Sequence, residues 1–205
     1  MFIIGLTGSI GMGKSTAAAR LQALGIHVFD ADAEVHRIYD GPILHLIEAT
    51  FPGTITNGKV DRAKLATALS TNPGGFKTLE LMVHPLVRQG ARAFLQAEHA
   101  RGVALAALEF PLLFETRADQ SVDATLVVST DPVTQRNRVL MRPGMTLEKF
   151  NTLLARQMPD EEKRRRAHFV VDTSGPVTDT HAQIDQVLTD LRGRAGAAYA
   201  RSWEN

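Results

Sequence analysis

The octapeptide Gly8-Ser9-Ile10-Gly11-Met12-Gly13-Lys14-Ser15 constrains this chain more than any other stretch, because of what flanks it. Before it runs Phe2-Ile3-Ile4-Gly5-Leu6-Thr7, an apolar run with the length of a strand buried on both faces. After it, Ala17, Ala18, Leu21 and Leu24 recur at helical spacing until Gly25 stops the helix. A buried strand that feeds a helix through a glycine-rich loop belongs to a parallel α/β sheet. The spacing G-x-x-x-x-G-K-S also carries chemistry. Its glycines let successive N–H groups turn inward on an anion, the helix N-terminus adds the positive end of its dipole, Lys14 reaches outer phosphate oxygens, and Ser15 offers a hydroxyl to Mg²⁺. Gly8, Gly11, Met12, Gly13, Lys14, Ser15 and Thr16 are therefore expected to hold the phosphates of ATP.

Further strand signals at residues 26–29, 103–108, 124–129 and 169–171 bring the number to five. Asp30-Ala31-Asp32 follows the second and Glu109 the third, so carboxylates stand at strand C-terminal ends, the binding edge of an α/β sheet. A helix is expected over residues 33–39, with Asp32 just ahead of it. Residues 41–101 have another texture, a helical pattern broken by Pro42, Pro52-Gly53, Asn57-Gly58, residues 72–75 and His84-Pro85, with no buried strand. They read as a helical insertion, with His84 extended at a turn before Pro85. Residues 135–166 are helical and arginine-rich. Residues 176–194 form an amphipathic helix with Val177, Ile184, Val187, Leu188 and Leu191 inward, and residues 195–205 are expected to fray. The expected organisation is a single domain over residues 1–205. Its core comprises 1–40 and 102–205, its insertion 41–101, and its arginine-rich segment 135–166 lies within the core.

Composition narrows the setting. At 205 residues, 44% hydrophobic, the chain can bury a full core without a staple, and with no cysteine it has no disulfide or thiolate chemistry. A reducing cytoplasm is the expected compartment. Twenty-three Lys+Arg against 22 Asp+Glu leave a net charge of +1, which argues against nucleic acid or an anionic membrane as partner. The N-terminus lacks a basic region and runs straight into the glycine loop, so it reads as a strand rather than a signal, and no apolar run approaches the roughly 20 residues of a membrane span. No heptad or exposed apolar stripe points to an obligate protein partner.

Four further segments, read with the loop, resemble the dephospho-CoA kinase family: Asp30-Ala31-Asp32, His84-Pro85, Glu109-Phe110-Pro111-Leu112-Leu113-Phe114-Glu115, and Gln135-Arg136 with Arg142. Gln157 matches a later glutamine of that family. The match runs in order through nearly the whole chain, and P-L-L-F-E with D-A-D discriminates better than the loop, which many nucleotide enzymes share. The resemblance implies a P-loop NTPase fold in three α/β/α layers, with a mostly parallel five-stranded sheet, a helical acceptor-binding insertion and a helical lid. It implies ATP and dephospho-CoA as substrates, Mg²⁺ as cofactor, and transfer of the γ-phosphoryl group to the ribose 3′-hydroxyl, the last step of coenzyme A synthesis. Asp32 would be the catalytic carboxylate, a role that suits a group able to orient the hydroxyl and accept its proton. Lys14 and Arg142 would neutralise the transferring phosphoryl group, with Arg136 and Arg138 sharing the lid. Arg62 and Arg88 would face the acceptor's pyrophosphate. His84, Pro85 and Leu113 would be substrate contacts, as would Glu115, which could also fix a neighbouring arginine or a helix N-terminus.

The chain departs from the family pattern at three places. Glu109 stands where an aspartate is usual, one methylene longer, which places its carboxylate differently relative to the metal, as a candidate to stand just outside the metal's own ligands. Ser9 replaces a frequent glycine inside the loop, and His168 and Asp172 replace an aspartate and an asparagine near the last strand, so no base contact is carried over there. Two other readings share parts of the pattern. Another small-molecule or nucleoside monophosphate kinase would have the same order of elements, and a non-catalytic ATP-binding regulator would have the same loop. A GTPase switch is disfavoured: Asp172-Thr173-Ser174-Gly175 mimics D-x-x-G, but it follows the last strand, and no N-K-x-D occurs.

Overall fold

The structure, a computed structural model, describes residues 1–41 and 43–204. Pro42, expected to punctuate the insertion, and Asn205 at the end of the tail lie outside the described residues. The chain divides into two compact units, Met1–Phe29 with Leu95–Asn205, and Asp30–Phe94.

The larger unit is built on the expected five-stranded sheet, in the order β2-β5-β1-β6-β7, with β1 at Phe2–Thr7, β2 at His27–Asp30, β5 at Leu105–Glu109, β6 at Ala124–Ser129 and β7 at Phe169–Asp172. The remaining strands, β3 (Ile55–Thr56) and β4 (Lys59–Val60), form a separate antiparallel pair in the smaller unit. β1 pairs in parallel with both β5 and β6, and β6 in parallel with β7. Parallel pairing sends the C-terminal ends of these four strands to one edge, where the loops after Thr7, Glu109, Ser129 and Asp172 meet. Every residue of β1 is buried, as its unbroken apolar run requires. Phe2, Ile4 and Leu6 face α1 (Lys14–Ala23) and α9 (Val177–Leu191), packing with Ala17, Leu21, Ile184, Val187 and Leu191. On the opposite face a Cβ at Gly5 would lie 3.0 Å from Leu113, so the segment after β5 closes directly onto β1.

The arginine-rich stretch resolves into three helices: α6 (Pro132–Leu140), α7 (Leu147–Leu154) and α8 (Asp160–Arg166). Asp131 caps α6 by accepting from Val133 N and Thr134 N, with Pro132 in the first turn where no N–H is missed. The bonds from Thr134 hold the Asp131 carboxyl below its usual range. α8 carries three acids in its first turn and four bases in its last, each sign matching the dipole of its end.

Through residue 204 the tail is ordered against the larger unit rather than frayed. Residues 198–202 form a last helix, α10, and Trp203 is only 1% exposed, its indole N–H donating to Ser121 O at 2.7 Å. The Asp123 carboxylate accepts from Ala197 N and Ala198 N through one oxygen and from Ile3 N through the other. Tyr199 stacks on His99 with ring centroids 4.1 Å apart. A short polar tail with a single tryptophan looked solvated, but burying one indole with its N–H bonded repays the ordering of a few residues.

The smaller unit contains α2 (Ala31–Tyr39), α3 (Leu44–Thr50), the β3–β4 hairpin, α4 (Arg62–Thr71) and most of α5 (Gly75–Ala100). The hairpin turns on Asn57-Gly58, both at positive φ, 51° and 74°, the backbone that a tight two-residue hairpin demands. Asp61 caps α4, and its carboxyl is held low chiefly by the Lys64 N–H. His84-Pro85 is not at a turn. It lies inside α5, a helix of 26 residues. Pro85 removes one backbone bond, at a cost of about 3 kcal/mol, yet Leu79, Val83, Val87 and Ala91 are buried at four-residue spacing on either side, and that continuous apolar stripe outweighs it. α2 and α5 approach closely at Gly90, where a Cβ would stand 2.3 Å from the Glu34 carboxylate.

Candidate active site

The glycine loop sits between β1 and α1, and the protein leaves it little freedom. A Cβ at Gly8 would meet Val128 O at 2.6 Å, and one at Gly11 would meet Val139 Cγ2 at 2.5 Å. Gly11 and Gly13 have φ of 80° and 87°, a conformation natural only to glycine. Met12 N donates to Ser9 O, which closes a tight turn, while Thr16 N and Ala17 N fold onto Gly13 O to begin α1. Among the described residues, the N–H groups of Gly11, Gly13 and Ser15 donate to no protein acceptor, and the Ser15 hydroxyl, which is exposed, makes no protein hydrogen bond. Backbone donors at a helix N-terminus, with a hydroxyl beside them, form an anion cradle. Lys14 Nζ donates to Gly8 O at 3.0 Å, so its side chain curls back over the loop.

Groups from the other strand ends hold this loop in place. Thr173, just past β7, is buried; its hydroxyl donates to Met12 O at 3.0 Å, with Ser129 O at 3.2 Å as a second acceptor, and its methyl and hydroxyl lie under Gly13. Arg138 clamps Thr173 through Nη1 to the hydroxyl and Nη2 to the carbonyl. Arg138 therefore supports the loop from behind, while Arg136 and Arg142 are exposed and, among the described residues, their guanidinium groups bond to no protein group. Gln135 and Gln157 both reach Ile10. In the D-x-x-G stretch, the Ser174 hydroxyl and N–H hold the Asp172 carboxyl below its usual range, which makes the sequence a local turn.

The segment after β5 is anchored from within. Glu115 accepts from Met158 N at 2.7 Å and pairs with Lys163 Nζ at 3.0 Å, the lysine side chain being 0% exposed. Lys163 also donates to Pro111 O, and on the same helix Asp160 accepts from the Ser129 hydroxyl. Glu115 thus finds a lysine and a backbone N–H before a helix, where an arginine was one expected partner. Leu113 is fully buried beneath Gly5, and Glu109 stands half-buried at the end of β5.

The remaining sequence candidates belong to the smaller unit. Asp30 caps α2 by accepting from Ala33 N, so the helix begins at Ala31 and Asp32 stands, exposed, in its first turn rather than ahead of it. Arg62 opens α4, exposed beside Tyr39, whose hydroxyl pKa is raised by burial and partly offset by that cation. His84 and Arg88 are exposed four residues apart on α5, on one helix face, with Pro85 beside them.

Lys163, Asp160 and Thr173 carry no visible signal in the sequence. The run Asp160-Glu161-Glu162-Lys163-Arg164-Arg165-Arg166 reads as solvated, and only the fold shows that one of its cations is buried against Glu115.

The residues fit a magnesium ion that arrives with the nucleotide. The Ser15 hydroxyl is exposed next to the cradle in sequence, and among the described residues no cluster of three His, Cys, Asp or Glu could hold a metal. Mg²⁺ commonly has such a shell, keeping water and substrate phosphates as ligands. Among the same residues no helix is long and apolar enough to cross a membrane.

Comparison with known proteins agrees with this arrangement. Residues 2–179 match the family model described as dephospho-CoA kinase. The curated dephospho-CoA kinase of Brucella melitensis is 51% identical over 198 residues, covering 97% of this chain and 99% of its own. The crystal structure of TT1252 from Thermus thermophilus superposes with a TM-score of 0.79 at 37% identity, covering 94% of this chain and 98% of that one. The dephospho-CoA kinase from Campylobacter jejuni superposes with a TM-score of 0.63 at 25% identity, covering 92% and 96%. With the fold, the loop and a full-length match in agreement, the chain belongs to the dephospho-CoA kinase family.

Proposed function

We propose that this chain, a kinase acting on ATP and dephospho-CoA by family, moves the γ-phosphoryl group to the ribose 3′-hydroxyl with Asp32 as the base. The observation that carries the donor half is the cradle of protein-unbonded N–H groups at Gly11, Gly13 and Ser15. The β-phosphate lies in that cradle, and Lys14 leaves Gly8 O to meet the β and γ oxygens. The Ser15 hydroxyl would hold Mg²⁺, with Glu109 nearby, and the ion would supply charge neutralisation to the phosphates. Arg136 and Arg142, whose guanidinium groups bond to no protein group among the described residues, are available to the γ-phosphoryl as charge develops on it.

On the acceptor, the hydroxyl oxygen forms the new P–O bond as the bond from Pγ to the bridging oxygen breaks. The hydroxyl proton passes to the Asp32 carboxylate, and ADP leaves with the bridging electron pair. Arg62 and Arg88 bind the acceptor's pyrophosphate, and His84 and Pro85 contact its body. Leu113 and Glu115 act by holding the segment after β5, Leu113 as floor and Glu115 through Lys163. The cysteine-free composition suits the reducing cytoplasm, where we place the reaction.

The test is ADP formation with Mg²⁺, ATP and dephospho-CoA. Stimulation by dephospho-CoA, with coenzyme A as product, supports the reading. Stimulation by a nucleoside monophosphate or a sugar instead would point to another kinase, and ATP binding without turnover on any acceptor would point to a regulator.

A further inference from the structure

Ile10 stands at the outer bend of the glycine loop, and both of its backbone groups are taken by glutamine side chains. Gln157 Oε1 accepts from Ile10 N at 2.9 Å, and Gln135 Nε2 donates to Ile10 O at 2.8 Å. The two glutamines bracket residues 136–156, the stretch that carries Arg136 and Arg142. Gln135 is only 5% exposed and projects from α6, while Gln157 follows α7 in the approach to α8.

The bend itself explains why those bonds matter. Ser9 O accepts from Met12 N, Gly11 has φ of 80°, and Ile10 is absent from the residues with positive φ. A turn with positive φ only at its third residue is type II. In such a turn the central peptide, Ile10 C=O with Gly11 N–H, is flipped over relative to the commoner type I, and carbonyl and N–H of one peptide point in opposite directions. A donor on Ile10 O therefore also fixes where the Gly11 N–H points. Gln135 holds the carbonyl on the protein side, which turns the Gly11 N–H away from it, and that N–H has no protein acceptor among the described residues. Gln157 fixes the peptide on the other side of Ile10.

We propose that Gln135 and Gln157 are positioning residues for the donor nucleotide: by pinning the two peptides that flank Ile10, they set the Gly11 N–H toward the phosphates and tie the loop to both ends of the arginine-bearing segment. The proposal rests on the loop being the phosphate cradle. It assigns different duties to the pair, since Gln135 must donate and Gln157 must accept.

The test uses the full chain with Gln135→Met and Gln157→Met, which keep length and apolar stem but lose the amide. ATP and ADP affinity are measured by calorimetry, the two KM values by steady-state kinetics, and backbone exchange at Ile10 and Gly11 by NMR. Gln135→Met is expected to weaken ATP and ADP by roughly tenfold, the scale of one misdirected bond to a charged group, with the KM for dephospho-CoA unchanged. Gln157→Met is expected to accelerate exchange of the Ile10 amide at least tenfold while helix amides elsewhere keep their protection. A merely structural role would lower Tm and move both substrates' KM together, and that pattern overturns the proposal. So does ATP affinity equal to wild type in both variants. Should Gln135→Met not fold, the less buried Gln157→Met decides alone: faster Ile10 exchange with weakened ATP affinity supports the proposal, and ATP affinity equal to wild type overturns it. Failure of the underlying cradle reading is separately visible, because the wild-type chain would then bind neither ATP nor ADP.

Discussion

The glycine loop at residues 8–15 and the helical unit at residues 30–94 carry their chemistry in opposite ways. In the loop, conformation is over-determined: glycines stand where no Cβ fits, Thr173 and two glutamines hold its carbonyls and one N–H, and the cradle itself is made of backbone N–H groups, with only Lys14 and Ser15 adding side chains. In the helical unit the candidate groups, Asp32, Arg62, His84 and Arg88, are exposed side chains on helices whose own core lies on the other face. The difference teaches that a phosphate, alike in every nucleotide, can be met by a rigid backbone site, whereas an acceptor is recognised by side chains that can change without disturbing the fold. Substitutions in the first region should cost stability, and those in the second activity.

The largest expected effect tests the second half of that contrast. Asp32→Asn should lower kcat by about a hundredfold or more, the range of a lost general base, with ATP affinity and Tm nearly unchanged. Rapid-quench turnover with calorimetric ATP binding measures both, and full turnover would remove Asp32 from its role. Next, Lys163→Met should destabilise the larger unit by about 2–3 kcal/mol, because the partly buried Glu115, 18% exposed, would lose its cation. Urea denaturation reads the loss, and adding Glu115→Gln should recover part of it. Gly11→Ala should cost about 3 kcal/mol, combining a left-handed backbone at φ 80° with a methyl 2.5 Å from Val139. Gly53→Ala, at φ 78° but with open space around it, should cost only the backbone part, about 1–2 kcal/mol. Equal losses at the two glycines would break the comparison.

The smallest effect concerns pH. Hydrogen bonds from Arg37 hold the Glu34 carboxyl below its ordinary value of 4.5. A depressed folded pKa means the pair's stabilisation is complete above pH 4.5 and is lost as pH falls through the lower, folded value. Because Arg37 is largely exposed, solvent screening keeps the contribution small. Glu34→Gln should flatten the stability curve of the chain below pH 4.5, as read by acid titration of urea midpoints.

The sheet was legible because its signals are local. A short unbroken apolar run that ends in a glycine turn fits a strand buried on both faces, and G-x-x-x-x-G-K-S specifies the turn between strand and helix. What could not be read arises where a tertiary partner decides. Pro85 argues for a break, and only the stripe formed by Leu79, Val83, Val87 and Ala91 overrules it. Trp203 looks like a residue in a loose tail until Ser121 O is found opposite its indole. Within the candidate site, Lys14 and Ser15 announce themselves by spacing, whereas Thr173 and Lys163 owe their importance to atoms far along the chain, Met12 O and Glu115.

The burial of Lys163 has a practical corollary. Four other lysines, Lys59, Lys64, Lys77 and Lys149, are exposed, so an amine-selective reagent modifies them at once, while Lys163 reacts only in those moments when α8 lifts from the sheet. Its labelling rate, set against theirs, is therefore a built-in gauge of how often the anchor of the segment after β5 lets go, readable by mass spectrometry without any substitution.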